Sequence, residues 1–316
     1  MSRPSDDKTG LLSCEQLSRR GLLRTAGAFA ATFTASSLLP VPASHAQARD
    51  PRFLLVILRG GLDGLSAVLP LGDPDFARVR EGFREDLAKA GEAPRLDALF
   101  HLNPALKSLA ALYTDRNALI VHAAATPYRE RSHFDGQEIL ESGLPTAAHP
   151  DTGWLNRALQ QISAQAGSNA AVPRELGLSV GPMVPLVMRG PAPVLSWSPQ
   201  HLAQAADDTA ARLLALYDAR DPLLADALRR GIATAKDNKS LDQTLVNRGA
   251  GGQAVLAMAE GAARFLSKPD GPRYGALSID GWDTHADERP GTGRLGQLLG
   301  TLDRLIDGLH AGLKPV

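Results

Sequence analysis

The sequence predicts an α/β fold, in which a mostly parallel β-sheet is flanked by helices, and three observations support this. Apolar runs of strand length alternate along the chain with apolar residues at helical spacing. The runs are continuous rather than alternating, which is typical of strands covered on both faces. With 44% hydrophobic and 22% charged residues, the 316-residue chain has the composition of a globular protein with a substantial core.

Five segments carry the strand pattern. The first is Phe53–Leu58, an unbroken apolar run that stops just before Gly60 and Gly61. Two other runs follow segments with helical periodicity, and the remaining two are shorter and lie among prolines. The predicted strands are residues 53–58, 118–121, 176–180, 194–197 and 274–279.

Helical periodicity fills much of the sequence between these runs. The clearest case is the last, where leucines and one isoleucine between 295 and 313 fall on one face at helical spacing and predict a core-packing helix. A break near Asp221 and Pro222 divides one of the other patterns, and the polar, glycine-containing stretch 236–252 is predicted to be a surface connection. The predicted helices are residues 106–113, 207–230, 254–266 and 295–313.

Charge and cysteine content exclude several kinds of site. Lys and Arg together number 34, as do Asp and Glu, so no excess positive charge favours a nucleic-acid partner. The only cysteine, Cys14, lies near the amino terminus, so the chain beyond it can form neither a disulfide nor a thiolate metal site. Any metal site there is expected to use histidines and carboxylates.

The first 48 residues are predicted to be a twin-arginine export signal. Arg19 and Arg20 precede a mildly apolar stretch over 25–39, and Ala46-Gln47-Ala48 offers a small-x-small cleavage site. The alternatives are an ordinary secretion signal and a chance arginine pair in a disordered tail. The apolar stretch is too short and too weakly hydrophobic to predict a membrane span or a permanent anchor. We therefore expect the twin-arginine translocase as a partner and a periplasmic or secreted mature protein, with one domain over residues 49–316.

Polar clusters follow three of the predicted strands, and they carry the candidate site residues. Because the carboxyl ends of parallel strands share one edge of a sheet, side chains far apart in sequence are expected to meet there. His-x-Asp and Asp-x-His pairs place both side chains on one side of an extended segment, and such ligands suit zinc, manganese or iron. The candidates are Asp63 after the first strand, Ser132, His133 and Asp135 after the second, and Asp283 and His285 after the third.

Each candidate also has a purely structural interpretation. Asp63-Gly64 is a common turn pair, and Ser132 stands where a helix N-cap would. His133 and Asp135 could form a structural hydrogen-bonded pair. Asp283 and His285, flanked by Gly281 and Trp282 at a strand end, favour a functional interpretation most strongly.

Together these motifs resemble a family of exported bacterial proteins grouped as domain of unknown function 1501. The resemblance is carried by the arginine pair, by Leu58-Arg59-Gly60-Gly61-Leu62-Asp63-Gly64, by Ser132-His133-Phe134-Asp135 and by Gly281-Trp282-Asp283-Thr284-His285. That family is in turn similar to the alkaline phosphatase and sulfatase superfamily. The resemblance implies a three-layer α/β fold and metal-dependent hydrolysis of phosphate or sulfate esters.

The resemblance also implies roles for single residues. Asp63 matches a metal-binding aspartate after the first strand, and Asp283 and His285 match an acid and a histidine that bind metal from a later strand. Ser132 stands roughly where the superfamily has its nucleophile, although His133 or Asp135 is an alternative working residue there. Family members usually continue into Ser/Thr-Glu-Phe-Gly-Arg and Thr-Asp-His-Gly segments, which are missing from these 316 residues. The resemblance therefore implies a chain that lacks its C-terminal part and some metal ligands.

Two functions follow as expectations. The first is an exported hydrolase-like protein with Ser132 as nucleophile, a zinc or manganese ion on Asp63, His133, Asp135, Asp283 and His285, and a small or polymeric ester as substrate. The missing ligands would weaken this activity or leave the chain inactive as it stands. The alternative is a non-catalytic periplasmic or cell-surface binding protein on the same fold. Neither function involves nucleic acid.

Overall fold

The computed structural model describes residues 50–166, 176–199, 207–237, 252–285 and 289–314. The predicted signal lies outside these ranges, as does most of the predicted connection at 236–252. Within them the chain forms six strands, ten α-helices and one 3-10 helix at Leu186–Met188. The strands are β1 (Phe53–Leu58), β2 (Val68–Leu69), β3 (His101–Leu102), β4 (Gly177–Val180), β5 (Val194–Trp197) and β6 (Tyr274–Ile279). The helices are α1 (Gly64–Ala67), α2 (Phe76–Val79), α3 (Phe83–Ala90), α4 (Lys107–Thr114), α5 (His133–Ser142), α6 (Trp154–Ala166), α7 (Asp207–Arg220), α8 (Pro222–Asp237), α9 (Gly252–Leu266) and α10 (Arg294–Leu313).

A four-stranded sheet, in which all neighbouring strands are parallel, forms the centre of the fold. Its order is β1-β6-β4-β5, and Leu58 at the end of β1 is opposite Ile279 at the end of β6. All four strands therefore end at the same edge of the sheet. The short strands β2 and β3 form a separate antiparallel pair. The predicted α/β class with a parallel sheet is confirmed.

Both faces of the sheet are covered, as the continuous apolar runs predicted. Along β1, Leu54, Val56 and Leu58 contact a core cluster that includes residues of α9 and α10, while Phe53, Leu55 and Ile57 belong to a second cluster with residues of α6. Successive side chains of a strand point to opposite faces, so both sets of β1 side chains need apolar cover. Helices on each face supply it, and the strand sequence has no polar alternation.

The predicted strand at 118–121 is wrong. These residues have no regular structure, and the side chains of Leu119 and Val121 are 84% and 70% exposed. The positive φ values of Arg116 (60°) and Ala123 (55°) bracket the segment in turn conformations. A four-residue apolar run forms a strand only where it has a strand partner and a face to bury. In the described part of the chain β1 is an edge strand that pairs only with β6.

No helix among the described residues combines the length and the apolar character that a membrane crossing needs.

Candidate metal centre

The loops that follow β1 and β6 are joined to each other at the carboxyl edge of the sheet. The backbone NH of Arg59 donates to the carbonyl oxygen of Ile279 at 2.8 Å, and that of Trp282 donates to the carbonyl oxygen of Arg59 at 3.1 Å. These two bonds extend the β1–β6 pairing beyond the strands. They hold the segment Gly281–His285 directly beside the first loop.

Two glycines allow this close approach. Gly60 has φ +134°, and a Cβ atom there would lie 2.4 Å from the backbone nitrogen of Asp283. Gly61 has φ +119°, and a Cβ atom there would lie 2.6 Å from Cε1 of His133. Both φ values and both contacts favour glycine. The Gly60-Gly61 pair therefore lets the first loop contact Asp283 on one side and His133 on the other.

His133 reaches this edge because it is the first residue of α5. Ser132 is the N-cap of that helix, and its Oγ accepts a hydrogen bond from the backbone NH of Asp135 at 3.2 Å. The structural interpretation of Ser132 is therefore correct in this structure. The bond occupies a lone pair on Oγ, and the Ser132 hydroxyl also forms a hydrogen bond with the phenol oxygen of Tyr128.

Three of the five predicted metal ligands come together. His133, Asp283 and His285 each have one potential ligand atom, and these three atoms all lie within 4.8 Å of one another. Nε2 of His285 is 3.0 Å from Oδ1 of Asp283, and Nε2 of His133 is 3.6 Å from the same oxygen. The side chains of His133, Asp283 and His285 are 47%, 40% and 83% exposed, so the group is open to solvent.

The donor types and spacings of this group fit one divalent cation. Zinc binds imidazole nitrogens and carboxylate oxygens at about 2.0–2.2 Å, so two ligand atoms of a tetrahedral site lie roughly 3.4 Å apart. The distances of 3.0 and 3.6 Å bracket that separation. Three protein ligands with an open side are the arrangement of catalytic rather than structural zinc sites.

Asp63 is not part of this group. Its carboxylate accepts hydrogen bonds from Arg80 at 2.5 Å and from the Ser66 hydroxyl at 2.6 Å, and it caps α1 by accepting from the Leu65 NH at 3.2 Å. Burial raises the pKa of Asp63, but the hydrogen bonds from Arg80 and Ser66 outweigh it and hold the pKa below its ordinary value. In this structure the positively charged group that pairs with Asp63 is therefore the guanidinium of Arg80.

Asp135 is also held elsewhere, because its Oδ2 accepts a hydrogen bond from the Tyr128 hydroxyl at 3.0 Å. Burial and this hydrogen bond raise the pKa of Tyr128, which keeps the phenol protonated as the donor. The predicted site residues Asp63 and Asp135 therefore have protein partners of their own.

We expect Asp63→Asn to leave the affinity for a divalent metal unchanged within about twofold. It should lower the free energy of unfolding by about 1 kcal/mol at neutral pH, because Asp63 and Arg80 form a hydrogen-bonded and partly buried ion pair. The folded-state pKa of Asp63 is depressed, so its contribution is complete above the unfolded pKa and is lost as pH falls through the folded value. The stability difference should therefore shrink below about pH 4.

Denaturant unfolding at several pH values, together with metal titration, checks this prediction. Asp75→Asn is the matched control, because Asp75 forms an exposed ion pair with Arg78. A large loss of metal affinity in Asp63→Asn would instead make Asp63 a metal ligand.

A groove lies beside His133 with a volume of about 510 Å³. Its walls include Gly60 and Gly61 from the first loop, Tyr128 before α5, and Ser132 and His133 at the start of that helix. The groove therefore places a hydroxyl group, the first turn of a helix and one of the three clustered ligands next to the same open space.

Sequence reasoning missed the pair that anchors α5. Glu141 is buried, with its side chain 2% exposed; it forms an ion pair with Arg59, and its Oε2 accepts a hydrogen bond from the backbone NH of Val187 at 3.1 Å. Arg59 directly follows β1, so this pair ties the helix carrying His133 to the end of the strand. A glutamate at this position gives no signal of such a role in the sequence, because its partner lies 82 positions earlier.

Comparison with known families gives one match. The sequence model of the family described as "Protein of unknown function (DUF1501)" matches residues 108–316, a range that contains Ser132 and all three clustered ligands. No curated protein and no solved structure matches the chain.

Proposed function

This chain belongs to the family described as "Protein of unknown function (DUF1501)", and we propose that it binds a divalent metal ion and hydrolyses phosphate or sulfate esters. The ion, zinc or manganese, is bound by His133, Asp283 and His285. The observation that carries the proposal is the convergence of these three side chains, 152 residues apart at the extremes, on the carboxyl edge of the parallel sheet. Ligand sites of open α/β sheets lie at this edge.

The open side of the cluster and the adjacent groove support a catalytic role. When bound, such an ion supplies Lewis-acid polarisation of an ester oxygen and helps to lower the pKa of a nucleophile. The groove holds the ester with its anionic group near the amino terminus of α5, where backbone NH groups favour negative charge. The Ser132 hydroxyl, in the wall of the same groove, attacks phosphorus or sulfur as the bond to the ester's alcohol oxygen breaks, and the serine proton goes to the departing alcohol. Water then hydrolyses the serine ester and releases phosphate or sulfate.

We propose that the parallel sheet with helices on both faces is of the alkaline-phosphatase-like, three-layer type. We further propose that the protein is exported by the twin-arginine translocase and acts in the periplasm or outside the cell. The arginine pair at 19–20 and the small-x-small site at 46–48 support export.

One observation favours a second candidate, a metal-dependent binding protein without catalysis. In the described residues only one group of three potential ligands is present, because the carboxylates of Asp63 and Asp135 have protein partners. Hydrolases with two metals use the second ion to stabilise the attacking and leaving oxygens. A single site with three ligands is sufficient to bind an anionic compound through the metal.

Metal titration of the chelator-treated protein tests the proposal. We expect one zinc or manganese ion per chain by calorimetry, and an affinity at least about a hundredfold weaker in Asp283→Ala and in His285→Ala, because each variant loses one of three ligands. His149→Ala is the matched control, since His149 is exposed and paired with Glu138. Absence of stoichiometric binding in the wild type would overturn both candidate functions.

Turnover separates the two candidates. With the metal bound, we expect hydrolysis of p-nitrophenyl phosphate or p-nitrophenyl sulfate, and we expect Ser132→Ala to remove the turnover while keeping the metal. A protein that binds one metal ion per chain and hydrolyses neither ester would be the binding protein of the alternative.

A further inference from the structure

A second cavity, separate from the groove beside His133, opens at the carboxyl ends of β4, β5 and β6. It has a volume of about 310 Å³, within the usual range for small-molecule sites, and none of its described lining residues also lines the groove. We propose that this cavity binds a small organic cation, a primary amine with a compact apolar body and a neighbouring hydroxyl group.

The walls of the cavity are mainly apolar. They are formed by Val255 and Met258 of α9, by Leu298 and Leu302 of α10, and by Pro182 and Pro199 in the loops after β4 and β5. Gly252 and Ala254, at the start of α9, leave room between the two helices. An apolar body of about the size of a phenyl group is the part of a ligand that such walls favour.

The charge of the cavity selects for a cation. Asp280 supplies the only ionisable side chain among the described lining residues, and its carboxylate has no hydrogen bond or ion pair with another described residue. No lysine or arginine in the described part of the chain lines the cavity. Arg304 lies behind the wall, where it donates to the hydroxyl of the lining residue Thr301 at 3.0 Å. Among the described lining residues themselves, the exposed carboxylate of Asp280 is the charged group that a ligand ammonium would meet.

Trp282 adds a second polar feature to the same wall. Its side chain is 1% exposed, and its indole nitrogen is buried and has no hydrogen-bond partner in the described structure. Buried indole NH groups usually have an acceptor. Because this nitrogen is closed off from the cavity, a ligand hydroxyl reaches it only with a small shift of the ring, and the hydrogen bond formed offsets the cost of that shift. The indole ring also favours a nearby cation. Together, Asp280 and Trp282 favour an amino alcohol over a plain amine or a neutral apolar compound.

Calorimetry with the full chain and two matched probes tests the proposal. The probes are 2-amino-1-phenylethanol and 1-phenylethane-1,2-diol, which differ only in having an amino group or a hydroxyl group at one carbon. We expect the amine to bind at least about tenfold more tightly than the diol. In Asp280→Asn the two affinities should agree within about twofold. Equal binding of both probes to the wild type, or no binding at millimolar concentrations, would overturn the proposal.

Two further variants locate the bound probe. Ala254→Phe fills the cavity from α9 and should remove binding of both probes, whereas full affinity in this variant would place the probe elsewhere and refute the assignment. His285→Ala should bind the amine as the wild type does, because His285 does not line the cavity. Loss of amine binding in His285→Ala would assign the probe to the metal centre instead. Amine binding by this cavity is therefore independent of the proposed hydrolysis at the metal centre.

Discussion

Replacement of Glu141 by glutamine is expected to lower the free energy of unfolding by about 3 kcal/mol. Glu141 is buried and pairs with Arg59, so the variant leaves the arginine charge in the protein interior without a counter-charge. We place the loss at the low end of the range for broken buried ion pairs because the Arg59 side chain is 26% exposed. Glutamine keeps the shape of the side chain and one acceptor for the Val187 NH. The decrease in the free energy of unfolding therefore measures the effect of removing the negative charge. Denaturant unfolding of the two proteins measures it.

A double variant separates the effect of removing the whole ion pair from the effect of leaving one charge unpaired. Arg59→Met combined with Glu141→Gln removes both charges and keeps an acceptor for the Val187 NH, so it should recover most of the stability lost in Glu141→Gln, because no buried charge is left unpaired. Asp75→Asn, which removes a partner from the exposed pair with Arg78, should unfold at the wild-type denaturant concentration. Wild-type stability in Glu141→Gln would show that Arg59 does not depend on this glutamate.

The same pair matters for the metal centre. Arg59 lies between β1 and Gly60, and Glu141 lies in the helix that begins at His133. The ion pair therefore fixes the distance between the first loop and α5. In Glu141→Gln, under conditions where the protein remains folded, we expect a weaker metal affinity than in the wild type, because His133 is held less firmly beside Asp283.

The sheet was predictable from the sequence because its strands are buried on both faces. Phe53–Leu58 and Tyr274–Ile279 are long apolar runs, and they pair with each other as the edge strand and its interior neighbour. Parallel strands ending at one edge also predicted that residues after β1 and β6 would meet, and the loops carrying Gly60 and Asp283 are in contact. The leucine stripe of 295–313 likewise forms the buried face of α10.

The incorrect predictions have physical causes that lie outside the local sequence pattern. The run at 118–121 has the composition of a strand, but pairing and burial depend on the neighbours that the rest of the chain provides, and Leu119 and Val121 remain exposed. Asp63 stands at the expected place after β1, yet Arg80 reaches its carboxylate from 17 residues away. Both outcomes depend on tertiary contacts, whereas the N-cap at Ser132 depends on the adjacent helix and was foreseen as an alternative.

Several buried polar side chains that join distant segments of the chain could not be identified from the sequence. Asp303, on α10, accepts hydrogen bonds from the backbone NH groups of Ser108 and Leu109 and so caps α4 from another helix. The side-chain amide of Asn103 donates to the carbonyl oxygens of Ser66 and Pro290. Each anchor joins segments that are far apart in sequence. Only the folded arrangement of the chain reveals them.

Substitution of Gly60 by alanine is expected to damage both the fold and the metal centre. At φ +134° a residue with a Cβ atom is strained by about 1–3 kcal/mol, and the new atom would lie 2.4 Å from the backbone nitrogen of Asp283. The contact involves backbone rather than a flexible side chain, so the loop carrying Asp283 and His285 must move. We expect the free energy of unfolding to fall by at least about 2 kcal/mol and the metal affinity by at least about tenfold.

Gly64→Ala provides the matched control, because Gly64 is the first residue of α1 and a Cβ atom there would have no neighbour within 4 Å. That variant should keep the metal affinity of the wild type and gain a few tenths of a kcal/mol in stability, since alanine restricts the unfolded chain and suits a helix. Unfolding and metal titration of both variants test the geometry directly. Wild-type metal affinity in Gly60→Ala would mean that the close approach of the two loops does not position Asp283. The proposed arrangement of His133, Asp283 and His285 around one ion would then have to be abandoned.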